Sequence, residues 1–168
     1  AMKYTWLAGF LVVSMVSACG SADEEAATPA DDPANTFLFT TDSFTVKAGT
    51  ERFLCHAITL KEDLVVDRYS FPGAPYVHHL ILARTVAPEP EGMAECNILF
   101  RTTWLPEFVA GTGESNIEAP AGTGYHFKAG DQIVLQLHLL NAATTDVTTS
   151  VTVMATRDRT SINRNAPS

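Results

Sequence analysis

The chain is poor in charge and poorer still in clustered positive charge. Charged residues make up 18% of its 168 residues, and the 11 Lys and Arg are scattered. With no basic patch or Arg/Lys-rich run, it lacks the electrostatic footprint of a nucleic-acid binder. Cysteine is scarce: Cys19, Cys55 and Cys96 are the only three, with no Cys-x-x-Cys or Cys-x-His grouping of the kind that holds zinc. No Ser/His/Asp, Cys/His or paired-carboxylate arrangement argues for a hydrolase. After residue 20 no segment carries a helical period, and there is no internal repeat.

What is present is ordinary for a folded domain, with 46% hydrophobic residues and a formal net charge of −8. Five acids, Asp23, Glu24, Glu25, Asp31 and Asp32, fall in one short segment without a basic residue. Setting these and Lys3 aside leaves 14 acidic against 10 basic residues, a mildly acidic body.

The N-terminus reads as a secretory signal over residues 1–18. Lys3 precedes an apolar run from Tyr4 to Val16, too short to span a bilayer, and small residues follow. Val16-Ser17-Ala18-Cys19 resembles the lipobox of bacterial lipoproteins. The resemblance implies that Cys19 is lipidated and anchors the chain to a membrane of the bacterial cell envelope without crossing it. Gly20 in place of Asp favours outer-membrane sorting. Residues 19–36 have almost nothing apolar beyond Ala, and read as a disordered acidic tether. Its reach is on the order of 20–25 Å. Beyond a signal peptide the compartment is oxidising, so a Cys55–Cys96 disulfide is the default expectation. A Cys ligand to a metal is the alternative.

Residues 37–157 read as a single all-β domain, a sandwich or barrel. Strands are expected at Phe37-Leu38-Phe39, Ser43 to Val46, Arg52 to Leu60, Leu64 to Phe71, Val77 to Arg84, Ile98 to Trp104, Gly124 to Lys128, Gln132 to Leu140 and Val147 to Thr156. Ala87 to Glu95 and the Gly/Pro-rich stretch Pro106 to Gly124 read as loops. Residues 158–168 are expected to fray.

Three histidines stand out. His78 and His79 are adjacent near the start of a strand, where neighbours ordinarily face opposite ways. His138 lies on the strand Gln132 to Leu140. There Ile133, Leu135, Leu137 and Leu139 form an aliphatic face and His138 shares the more polar one with Gln136. Imidazole is the commonest metal ligand among side chains, but each histidine taken alone reads first as a packed or solvated residue.

The order of short motifs adds weight. Phe53-Leu54-Cys55, Val77-His78-His79-Leu80, Cys96, Ile98-Leu99-Phe100, Pro120-Ala121-Gly122-Thr123-Gly124-Tyr125 and Val134-Leu135-Gln136-Leu137-His138 follow one another. Together they resemble the N-terminal domain of the copper type II, ascorbate-dependent monooxygenases, the family of peptidylglycine α-hydroxylating monooxygenase and dopamine β-hydroxylase. The resemblance spans residues 44–157. Leu80 stands where the family has Met, and Phe108-Val109-Ala110-Gly111 only loosely follows its Trp-Ala-Pro-Gly.

The resemblance implies an antiparallel jelly-roll-like β-sandwich with one copper ion held by His78, His79 and His138, and a Cys55–Cys96 disulfide. His126 is a further candidate ligand. For His78 and His79 to meet one metal, the strand must twist, bulge or end there, which the preceding Pro75 favours. The family's hydroxylases hold a second copper with a His-x-His pair and a Met in another domain, and no His-x-His occurs here. Three readings follow, in order. The first is a membrane-anchored mononuclear copper protein for electron transfer or copper handling, with a redox protein partner. The second is half of a monooxygenase completed by another chain, with ascorbate or another one-electron donor. The third is a non-catalytic interaction module or a zinc-binding domain.

Overall fold

The computed structural model describes residues 36–96 and 100–157. The signal peptide, Cys19, the tether up to residue 35 and the tail 158–168 lie outside the described residues.

Twelve strands and no helix make up the described chain: β1 (Thr36–Thr40), β2 (Phe44–Val46), β3 (Thr50–Thr59), β4 (Leu64–Phe71), β5 (Val77–Thr85), β6 (Gly92–Glu95), β7 (Trp104–Ala110), β8 (Ser115–Glu118), β9 (Tyr125–Phe127), β10 (Gln132–Asn141), β11 (Val147–Thr149) and β12 (Thr152–Arg157). One five-stranded sheet runs β6-β3-β10-β5-β7. The other runs β1-β12-β4-β8, with β9 also paired to β4, and β11 pairs β2 separately. Every pairing is antiparallel. The chain crosses repeatedly between the two large sheets, as a jelly-roll-like sandwich requires.

The sheets join through one apolar core. Ile133, Leu135, Leu137 and Leu139 of β10 are at most 3% exposed and pack with Leu54, Leu80, Leu82, Tyr69, Phe71 and Phe127. This is the aliphatic face that the period-2 pattern of β10 marks as inward.

Several boundaries differ from the sequence reading. Thr36, expected in the tether, opens β1, and the end of the Ala87–Glu95 loop forms β6. Of the strand expected over Ile98 to Trp104, residues 97–99 lie outside the description, Phe100 to Thr103 is not strand, and β7 begins at Trp104. The Pro106–Gly124 loop contains most of β7 and all of β8. Pro106 disguises β7, but this is an edge strand, where a missing N–H is tolerated. β8 is also an edge strand and largely exposed, so it carries no apolar alternation to read. Val147 to Thr156 is two strands, broken at Ser150 and Val151, that join different sheets.

The outer face of the β3/β10/β5 sheet is not uniformly solvated either. Val134 and Gln136 are each 1% exposed. Val134 belongs to a second, smaller cluster with Ala57, Ala83 and Trp104. Glu89 anchors the chain that covers this half. Its carboxylate accepts from Arg101 Nη1 at 2.7 and 2.9 Å and from Trp104 Nε1 at 2.9 Å, while its backbone N–H and C=O both bond to the Gln132 amide. The Cys55–Cys96 disulfide ties the same segment to β3. Closing a loop of this length stabilises by roughly 3–4 kcal/mol in the chain-entropy model.

Candidate metal centre

Beyond the covered half, the outer face continues into an open row. In register, His138 of β10 sits opposite Phe53 on one side and His79 on the other. Directly cross-strand side chains lie within contact distance, so the pairing alone brings His138 and His79 together. His78 needs something more. The register of β5 against β10 slips by one residue at this point: His138 pairs His79, and the next residue, Leu139, pairs Val77. His78 is the extra residue of a β-bulge.

Burial records the same irregularity. Val77 and Leu80 are both buried, at 4% and 0% exposure, with two outward-facing residues between them instead of one. The bulge lets neighbours on one strand share a side, which regular pleating forbids. Its lower edge is held by Leu140 N–H donating to Tyr76 C=O at 2.8 Å and Val77 N–H donating to Ala74 C=O at 3.3 Å. Tyr76 has φ of +71° and is the one non-glycine in the left-handed region among the described residues. A side chain there costs on the order of 1–2 kcal/mol, so this turn is maintained against a local penalty.

The result is a cluster of three imidazoles. His78 Nδ1 lies 3.3 Å from His79 Nδ1, and His138 Nδ1 lies 3.2 Å from His79 Nδ1. One ligand nitrogen from each ring falls within 4.8 Å of the others. The rings stand edge-on to one another, with centroids 4.7 to 5.6 Å apart. Two nitrogens each about 2.0–2.1 Å from a tetrahedral centre are themselves about 3.3 Å apart. The observed spacing fits a shared metal ion. Lone pairs aimed at one point repel unless a cation lies between them, and neutral imidazole is the metal-binding form. The surroundings favour that form at His79: burial first, then the neighbouring His138 and His78, push its pKa below the ordinary imidazole value.

The three histidines are held unequally. His138, with a side chain 13% exposed, stacks on Phe53 at 4.3 Å between centroids and 5° between planes. Its Nε2 lies 2.5 Å from Glu51 Oε1. His78 is exposed, and its only hydrogen-bond and ring partners among the described residues are the other two histidines.

His126 is not part of the cluster. It is exposed on β9, opposite Val65 of β4, in the other sheet. His56 faces away from the site, opposite Leu135 and Met93, beside Phe39 and Ile58. Glu51 escaped the sequence reading because β3 was expected to begin at Arg52. It begins at Thr50, and the spacing of Glu51 and Phe53 by two on one strand was the signal that placed both on one face. Beside them an open depression of about 550 Å³, lined by Glu51, Arg52, Phe53, Glu95 and Cys96, adjoins the His138 side.

Neither the protein-family models nor the curated proteins give a match to this chain.

Proposed function

We propose that this chain is a membrane-anchored copper-binding protein with a single mononuclear site formed by His78, His79 and His138. The observation that carries the reading is the bulge at His78, which turns an adjacent pair of histidines toward a third from the neighbouring strand. The motif order over residues 44–157 supports copper and a relationship to the N-terminal domain of the copper type II monooxygenases. Three-nitrogen sites with open positions suit copper, and copper bound there would supply one-electron redox chemistry.

The chain's own part is to hold the ligands. Phe53 and Glu51 orient His138, the β10 register sets His79 against it, and the exposed bulge leaves one side approachable. That openness fits exchange of electrons or of copper itself with a protein partner. The same site suits the electron-storing half of an ascorbate-dependent monooxygenase completed by another chain. The envelope location and the lipid anchor at Cys19 rest on the N-terminal motif.

Metal analysis and EPR of the protein taken from its native membrane test the proposal. About one copper per chain with nitrogen hyperfine structure supports it. Zinc in place of copper would overturn the redox reading, and an absence of both metals would overturn the site. Ascorbate-dependent O2 uptake with a hydroxylated product, in the presence of a partner chain, would identify the half-enzyme role.

A further inference from the structure

We infer that Glu51 is the positioning residue that fixes the tautomer of His138, so that Nδ1, and not Nε2, is the ligand atom of this ring. The assignment extends the metal site proposed above to a residue outside the histidine pattern.

The geometry leaves little alternative. Nε2 of His138 is 2.5 Å from Glu51 Oε1, while Nδ1 of the same ring is 3.2 Å from His79 Nδ1. An ionised carboxylate only accepts hydrogen bonds. The proton of a neutral His138 ring therefore belongs on Nε2, and Nδ1 carries the lone pair that faces the cluster. Ligating histidines generally donate their other ring N–H to a carboxylate or carbonyl, which fixes the tautomer and the ring orientation and raises ligand basicity. Rotation of the ring is blocked separately. Phe53, two residues along the same strand and directly opposite His138 in register, stacks parallel to it. One strand, β3, thus supplies both halves of a clamp: an acceptor for the far nitrogen and a flat surface for the ring. Neither His78 nor His79 is given a carboxylate partner in this way among the described residues.

Glu51 is well placed to be substituted without harm to the fold. Its side chain is 58% exposed and it lies near the start of β3, away from the buried core. Removing it should change the ring and leave the sandwich intact.

The test is long-range 1H–15N NMR on the metal-free full chain, for the wild type and for Glu51→Gln and Glu51→Ala, followed by Zn(II) titration of each. The wild type is expected to show His138 in the Nε2–H tautomer. Glu51→Ala should show a tautomer mixture and a loss of Zn(II) affinity of about 10–100-fold, the range for such carboxylate partners. Glu51→Gln, whose side-chain oxygen still accepts, should retain most of the tautomer and an intermediate affinity. An Nδ1–H tautomer in the wild type, or an unchanged Nε2–H tautomer in Glu51→Ala, overturns the inference. The tautomer is read without metal. A wild type that binds no Zn(II) or Cu(II) but loses its tautomer bias in Glu51→Ala therefore sinks the metal site and upholds the role of Glu51.

Discussion

The outer face of the β3/β10/β5 sheet has two halves built from the same three strands, and they do opposite work. In the covered half, Ala57, Val134 and Ala83 lie in one row beneath Trp104, sealed by the Glu89–Arg101–Trp104 hydrogen bonds and the Cys55–Cys96 disulfide. In the open half, Phe53, His138 and His79 form another row, and the bulge adds His78. The covered half buries apolar surface and ties down a long loop, so it carries stability. The open half crowds three half-buried to exposed imidazoles together with no apolar cover, so it adds little stability. Two rows of one sheet can divide these tasks because the unbroken β3/β10 ladder carries the rigidity of the covered half into the open one.

The division predicts that stability and metal binding separate by mutation. The largest effect belongs to the covered half. Trp104→Ala should lower unfolding free energy by about 3–5 kcal/mol, the usual range for truncating a buried aromatic, as read by urea titration. A paired Cys55→Ser, Cys96→Ser variant should lose roughly 3–4 kcal/mol. A large loss of stability from His78→Ala or His138→Ala in place of these would break the comparison.

In the open half the ligands should rank by how they are held. His138→Ala should weaken metal binding more than His78→Ala, because His138 is pre-oriented by Phe53 and Glu51 while His78 must be ordered on binding. Isothermal titration with Cu(II) or Zn(II) reads the order, and equal losses would show that the clamp contributes nothing. Deleting His78 sharpens the point. Removal of the extra residue leaves His138 against His79 and Leu139 against Val77, a continuous ladder. The deletion should fold with a melting temperature close to the wild type and lose most of its metal affinity.

The smallest effect is in pH. The pKa of His79 is lowered in the folded protein, mainly by burial. The unfolded chain therefore binds that proton more readily. The contribution of His79 to stability is full above the ordinary imidazole value of about 6.5, and is lost as pH falls through the lower folded value. Metal-free protein should be slightly less stable at pH 5 than at pH 7, and His79→Asn should reduce that slope in urea titrations.

How much of this was readable in advance follows from the same physics. The inward face of β10 and the long strands β3, β4 and β5 are local patterns that sequence displays directly, whereas the irregularity at His78–His79 is expected only from the resemblance that makes both histidines ligands of one metal. The burial of Val134 and Gln136 is not local. It depends on a cover supplied by Glu89, Cys96, Arg101 and Trp104, and period-2 alternation cannot reveal that a polar-looking face is roofed by distant chain. β7 and β8 were missed for a related reason. Edge strands tolerate Pro106 and the exposed residues of β8, so they lack the signature of a central strand. Glu51 falls outside the expected strand because that boundary is two residues too late.

The bulge at His78 gathers three imidazoles at a spacing that fits one metal ion. Copper loading of the purified full chain, with EPR on the Cu(II) form, tests it most directly against a His78→Ala, His79→Ala, His138→Ala variant. The expected result is one tightly bound Cu(II) per wild-type chain with imidazole nitrogen hyperfine structure, absent from the folded triple variant. Copper bound equally well by the triple variant, or a wild-type signal without nitrogen coupling, would contradict it.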